Sequence, residues 1–219
     1  MLFLFFNLLS THILSEELNT PFGTLIGSNN GVPAYSNGDC DFISDEHYYI
    51  GDVLSGLKWQ CVEYARRWIV LTQDLTFHKV QCASDIWHFN TLLSVSDDNK
   101  NVPLYRIPND SPCPPSPGDL LIYKRGNDAP YGHIAIISQV YSDLIEISEQ
   151  NWDNCYWPGN YSRTMPLTKM HDHYFLIDDE YPIIGWMSYK TPENLKCIDT
   201  YCLTCSSRDT SRNAICIYQ

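Results

Sequence analysis

The clearest hydrophobic pattern follows a helical period. Val62, Ala65, Trp68, Ile69 and Thr72 recur at helical spacing with Glu63, Arg66 and Arg67 between them, which predicts an amphipathic helix from about Gln60 to Thr72. Ser84 to Leu93 is a second helical candidate, with Ile86, Trp87, Asn90 and Leu93 as a stripe and Ser84 as a cap that no Glu or Gln completes. Elsewhere the pattern is that of strands. Leu120–Tyr123 is an apolar run directly behind Pro108–Asp119, a proline-rich stretch that cannot be helix or central strand. Ile134–Val140 is β-branched and bounded by Gly and Ser/Asp turn signals. Leu144–Asn151 alternates, so Ile145, Ile147, Glu149 and Asn151 share one face, and the isoleucines make that face the buried one. Towards the start, Thr20–Gly27 reads as a strand or turn leading into the domain. A Gly/Asn/Ser-rich loop follows from Ser28 to Asp41, then an aromatic, acidic segment to Gly51.

Candidate chemistry falls at the ends of these elements. Cys61 stands in the first turn of the predicted helix, where unpaired N–H groups and the positive end of the dipole stabilise a thiolate. Glu149 lies on the core-facing side of its strand and needs a partner to be tolerated there. His133 heads the neighbouring strand and can supply it. Geometry thus proposes Cys61, His133 and Glu149 as thiolate, base and orienting acid. The plain alternatives are a structural disulfide for Cys61, a loop histidine for His133, an outward-turned charge for Glu149 and a turn residue for Asn151. His47, His78, His88 and His171 lack the Gly-His-strand setting, and His171-Asp172-His173 offers too few ligands for a metal.

Composition narrows the class. The 219 residues, 44% hydrophobic and 13% aromatic, suffice for one packed domain. A net charge of -12 argues against a nucleic-acid partner and suits a cationic substrate. Met1–Ser10 is apolar but too short to span a bilayer, and fits the core of a signal peptide over residues 1–17. The expected organisation is that leader, a domain over 18–190, and a tail over 191–219 that holds four of the nine cysteines. Two glycosylation sequons, at Asn109 and Asn160, also lean towards a secreted or vesicular protein. In such a compartment cysteines pair, and an odd count leaves one unpaired, consistent with a reactive Cys61. Cys202-Leu203-Thr204-Cys205 resembles half a zinc site, but with no second half disulfides are preferred. The oligomeric state is not legible.

Several stretches, in order, carry a family likeness: Pro21–Gly27, Lys58–Arg67, Gly118–Tyr123, Gly132–Gln139, Glu149–Asn151 and Ile184–Met187. Together they resemble the CHAP superfamily of papain-like cysteine amidases, most closely the amidase domain of glutathionylspermidine synthetase/amidase and of trypanothione synthetase. The resemblance implies an α+β papain-like fold, with an N-terminal helix that carries the nucleophilic cysteine packed on an antiparallel sheet. It implies Cys61 as nucleophile, His133 as general base and Glu149 as the acid that orients it. Asn151 would be a nearby polar site residue, and Gln60 would support the oxyanion with the Cys61 N–H. Arg66 would bind substrate, although five residues along a helix is about 140° from the Cys61 face. The implied reaction is amide hydrolysis through a thioester on a small amide such as glutathionylspermidine, with no metal, nucleotide or other cofactor. A secreted hydrolase of bacterial cell-wall peptide is the alternative, and a silent binding module the third.

Overall fold

The computed structural model describes residues 20–97 and 100–190. The leader expected over 1–17 and the cysteine-rich tail over 191–219 lie outside the described residues. Two hairpins open the described residues. β1 (Leu25–Asn29) pairs antiparallel with β2 (Val32–Tyr35) across Asn30-Gly31, both at positive φ, 49° and 79°. This is the two-residue turn whose twist matches that of paired strands. β3 (His47–Ile50) and β4 (Val53–Leu57) form the second hairpin. α1 (Cys61–Gln73) follows and ends at Asp74, whose left-handed backbone turns its N–H back to Val70 O at 3.2 Å.

A small sheet of β5 (Leu75–Thr76), β6 (Thr91–Ser94) and β7 (Asn101–Pro103) comes next, with a 3₁₀ turn, Ala83–His88, between its first two strands. The remaining strands are β8 (Tyr105–Pro108), β9 (Leu120–Tyr123), β10 (Ile134–Val140), β11 (Leu144–Ser148), β12 (Arg163–Met170), β13 (His173–Leu176) and β14 (Ile183–Ser188). They build one antiparallel seven-stranded sheet in the order β13-β12-β11-β10-β9-β14-β8. Pro108 ends β8 at the sheet edge, where a missing N–H costs no ladder bond. Among the described residues no helix is long and apolar enough to cross a membrane.

The expected α+β class, with its N-terminal helix, is corrected by this architecture. The described residues are mostly β, 39% strand against 11% helix, around a curled seven-stranded sheet, and four described strands precede the helix. Two segments account for the difference. Between Ser28 and Asp41, where a loop is expected, the Asn-Gly pair makes a hairpin instead. The helix expected over Ser84–Leu93 is a six-residue 3₁₀ turn that gives way to an extended Phe89 and then β6. Ser84 does not cap it, because its hydroxyl accepts from Arg125 Nε at 2.7 Å and its N–H donates to Tyr131 O.

The large sheet is buried on both faces, which is why β9 and the first half of β10 read as unbroken apolar runs. Leu120, Ile122, Ile134 and Ile136 meet Tyr64, Ala65, Trp68 and Ile69 of α1. The alternate residues Leu121, Tyr123, Ala135 and Ile137 face a second core with Ile145, Ile147 and Trp186, covered as Met165, Leu167 and Leu176 curl over it. Each such side chain contributes roughly 1.5–3 kcal/mol by leaving water.

The charged side of α1 is buried too, contrary to an amphipathic reading. Glu63 is 0%, Arg66 4% and Arg67 1% exposed, because the two N-terminal hairpins wrap that side of the helix. Arg67 grips Glu63 through both carboxylate oxygens at 2.7 and 3.0 Å and donates to Gln150 Oε1 at 2.9 Å. Gln150 Nε2 returns to Glu63 Oε2 at 3.1 Å, and Ser55 Oγ donates to Glu63 Oε1 at 3.0 Å. Replacing one partner leaves the other charge buried alone, so Arg67→Met should lower stability by about 3–5 kcal/mol. Chemical denaturation of the purified variant checks this, and a loss under about 1 kcal/mol would mean that the charge finds water.

Candidate active site

Cys61 is the first residue of α1. Gln60 before it has an extended backbone (φ -80°, ψ 158°) and makes no side-chain cap, so the first helical N–H groups point their partial positive charge at the thiol. His133 is delivered by Gly132, at φ 64°, where an added Cβ would lie 2.8 Å from Tyr123 O; no larger residue fits that turn. The His133 carbonyl then accepts from Tyr123 N–H at 2.9 Å, which fastens the histidine to β9 just ahead of β10. Glu149 follows the end of β11, two positions beyond the buried Ile147.

These three positions converge. His133 Nε2 lies 2.9 Å from Glu149 Oε2, which leaves Nδ1 as the ring nitrogen for the thiol. Burial alone would push the Cys61 thiol up, but the charge of His133, its hydrogen bond and main-chain N–H groups, among them that of Val62, bring it below the usual value. Burial would likewise pull His133 down. The facing Cys61 and Glu149 outweigh that and hold it up at about 9. Glu149 stays below the usual carboxylate range despite its burial, through His133 and Arg163. Between the thiol's depressed value and about 9, the stable form is therefore thiolate and imidazolium.

The surroundings hold this pair in place. Trp152 packs edge-on against His133 at 4.8 Å between centroids, and Tyr123 at 5.5 Å. Arg163 Nε meets the second oxygen of Glu149 at 2.6 Å. Neither Arg163 nor Trp152 is a sequence expectation: no period or motif marks Arg163, while the pairing of β11 with β12 sets it opposite Ile147.

Gln60 and Asn151 are joined, Asn151 Nδ2 donating to Gln60 Oε1 at 3.0 Å, and Gln60 Nε2 donates to Phe42 O at 3.1 Å. Arg66 reaches the main-chain carbonyls of Ser55, Phe77 and His78 and lies over the Phe77 ring at 4.4 Å; part of it lines the same cleft as Cys61. That cleft, about 830 Å³, also exposes His133, Gln60, Asn151 and Trp152. Among the described residues no group of three His, Cys, Asp or Glu side chains is arranged to hold a metal; His173 instead faces Asp110 at 2.7 Å. The expected pairing of cysteines is corrected in part. Cys40 and Cys82 are free thiols, and no disulfide joins two described residues. The sequons differ: the Asn109 side chain is tied at both ends to the Leu176 backbone, whereas Asn160 is exposed.

Residues 52–151 match the CHAP domain. That span includes Cys61, His133 and Glu149 and stops short of Arg163. Among known proteins, the chain is similar to the bifunctional glutathionylspermidine synthetase/amidase of Escherichia coli (strain K12), 35% identical over 182 residues, covering 77% of this chain and 29% of that protein. It is similar to the trypanothione synthetase of Crithidia fasciculata, 32% identical over 181 residues, 80% of this chain and 28% of that one. It also matches endolysin PlyTW of Staphylococcus phage Twort, 29% identical over 119 residues, 52% of this chain and 23% of that one. The chain thus spans less than a third of the length of each relative. The domain and the amidase relative support a hydrolase of amide bonds.

Cys40 lines the same cleft and is exposed, but burial of its sulfur and the nearby Asp39, Asp153 and Asp41 raise its thiol. At about pH 6 a limiting amount of iodoacetamide should therefore label Cys61 before Cys40. Peptide mapping of the labelled protein checks this, and preferential labelling of Cys40 would contradict the charge assignment.

Proposed function

We propose that the chain is a cysteine-dependent amide hydrolase that acts on a small amide of the glutathionylspermidine type. The observation that carries this reading is the Cys61–His133 pair in an open cleft, with Glu149 buried behind the histidine. The Cys61 thiolate adds to the amide carbonyl, and the developing oxyanion takes the Cys61 N–H. The His133 imidazolium, which faces the sulfur through Nδ1, gives its proton to the departing amine as the C–N bond breaks, leaving a thioester on Cys61. Neutral His133 then takes a proton from water, the hydroxide displaces the sulfur, and the free acid and the starting ion pair are restored. Glu149 keeps the ring oriented through Nε2 in both halves. Gln60 and Asn151 support the cysteine segment through their mutual hydrogen bond.

The cleft favours a cationic leaving group. Asp128, Asp153 and Glu180 line it together with Tyr131, Tyr181 and Trp152. Tyr181 packs edge-on against Trp152, which packs on His133, so this acidic and aromatic group lies on the side of the proton donor. A polyamine leaving there would meet attraction rather than repulsion. Lys79, also in the cleft, suits an acyl group that carries a carboxylate; Arg66, whose guanidinium is committed to three main-chain carbonyls, adds positive potential there rather than a direct contact.

The endolysin relative supports a second reading, cleavage of bacterial cell-wall peptide by the same three residues. Mass-spectrometric product analysis separates the two. Glutathionylspermidine and peptidoglycan fragments are offered in turn to the wild type, Cys61→Ala and Glu149→Gln. The expected result is spermidine release that falls roughly 10³-fold or more in Cys61→Ala and roughly 10²–10⁴-fold in Glu149→Gln. Cleavage of wall fragments alone would move the substrate to the second reading. No Cys61-dependent product from either would reject both.

A further inference from the structure

We propose that Arg163 is a positioning residue of this site: it holds Glu149 as an oriented carboxylate and, through it, maintains the imidazolium of His133 and the thiolate of Cys61. The inference rests on the reading of Cys61 and His133 as the reacting pair.

The Glu149 side chain is 1% exposed, so each of its oxygens needs a committed partner. His133 takes Oε2 at 2.9 Å and Arg163 takes Oε1 at 2.6 Å; Ser162 Oγ adds only a long contact of 3.4 Å to Oε1. The guanidinium is held in turn on every side. Nη1 donates to Asp178 Oδ2 at 2.8 Å, Nη2 donates to Tyr123 OH at 2.9 Å, and Tyr123 OH donates to Asp178 at 3.1 Å, which closes a ring. Its face lies 4.1 Å from the centroid of Trp152, the ring that packs on His133. Asp178 is itself fixed by the N–H groups of Glu180 and Tyr181. Such a planar fork fits several acceptors at once as a lysine ammonium cannot.

The charges around Glu149 show why the arginine matters. From just ahead of β10 comes His133 and from β12 Arg163. Tyr64 of α1, Tyr123 of β9 and Glu180 beyond β13 also sense the carboxylate, and none of these three is cationic. Without Arg163, Glu149 would sense Glu180 with one cation in support, and would take up a proton more readily. A protonated Glu149 no longer stabilises the imidazolium, and the thiolate loses its counter-charge. Arg163 is not among the residues that line the cleft, so it acts through Glu149 and not on substrate.

The test is the pH dependence of Cys61 alkylation by iodoacetamide, read by peptide mass spectrometry on folded protein and requiring no substrate. Arg163→Gln should raise the midpoint of thiolate formation by about 1–3 pH units, with kcat down at least about tenfold and KM within about twofold. Arg163→Lys, which keeps a charge, should stay within about one unit of the wild type. In a Glu149→Gln background, Arg163→Gln should shift the midpoint no further, since both act through one carboxylate. A folded Arg163→Gln with the wild-type midpoint overturns the proposal. Should that variant not fold, Arg163→Lys decides: because a lysine cannot serve all three acceptors, a midpoint raised above the wild type by up to about one unit supports the proposal, and an unchanged midpoint overturns it. A wild type whose own midpoint is that of an ordinary thiol defeats the underlying reading of the site instead.

Discussion

A thiolate and an imidazolium withdrawn from water survive only as a pair, and the pair survives only if its outer side is closed by another charge. That constraint governs this structure. Cys61, His133, Glu149, Arg163 and Asp178 form an alternating series of anion and cation, running from the head of α1 to the far strands of the sheet. Each member is tolerated because its neighbours are ionised. The fold brings in one member from each of several separate segments, so the series exists only once the sheet is assembled.

Three consecutive residues explain how the helix and sheet keep their alignment. Glu149 turns to His133 and Arg163. Gln150 turns the other way, into the buried Glu63–Arg67 pair of the helix and the Tyr35 N–H of the first hairpin. Asn151, at φ 57°, ties to Gln60, the residue ahead of the cysteine. The end of β11 is thus bound to His133, to the helix body and to the helix start at once. A shift of this segment would disturb the thiol and the imidazole together.

Much of the placement of the candidate site was legible in the sequence, because its residues sit at the ends of elements with strong periodic signals. The helix that Cys61 opens, the strand that His133 heads and the alternation that puts Glu149 on the isoleucine face are all local patterns. What was not legible depended on what those elements meet. The charged side of α1 looked solvated because periodicity cannot reveal that two hairpins cover it. Those hairpins were themselves hidden in polar stretches, although Asn30-Gly31 was a usable hairpin signal. The helix expected at Ser84 failed because Ser84 bonds to Arg125 and Tyr131 rather than to its own turn. Arg163 was invisible, since only the pairing of β11 with β12 brings it to Glu149.

The most direct test of the central claim is the ultraviolet difference spectrum of wild type against Cys61→Ala, followed as a pH titration. The account predicts a thiolate absorbance already present at neutral pH, lost only well below the ordinary thiol value of about 8.5. It also predicts a change near pH 9 as His133 gives up its proton. A thiolate signal that first appears at or above about 8.5 would contradict the account, because Cys61 would then be a neutral buried thiol.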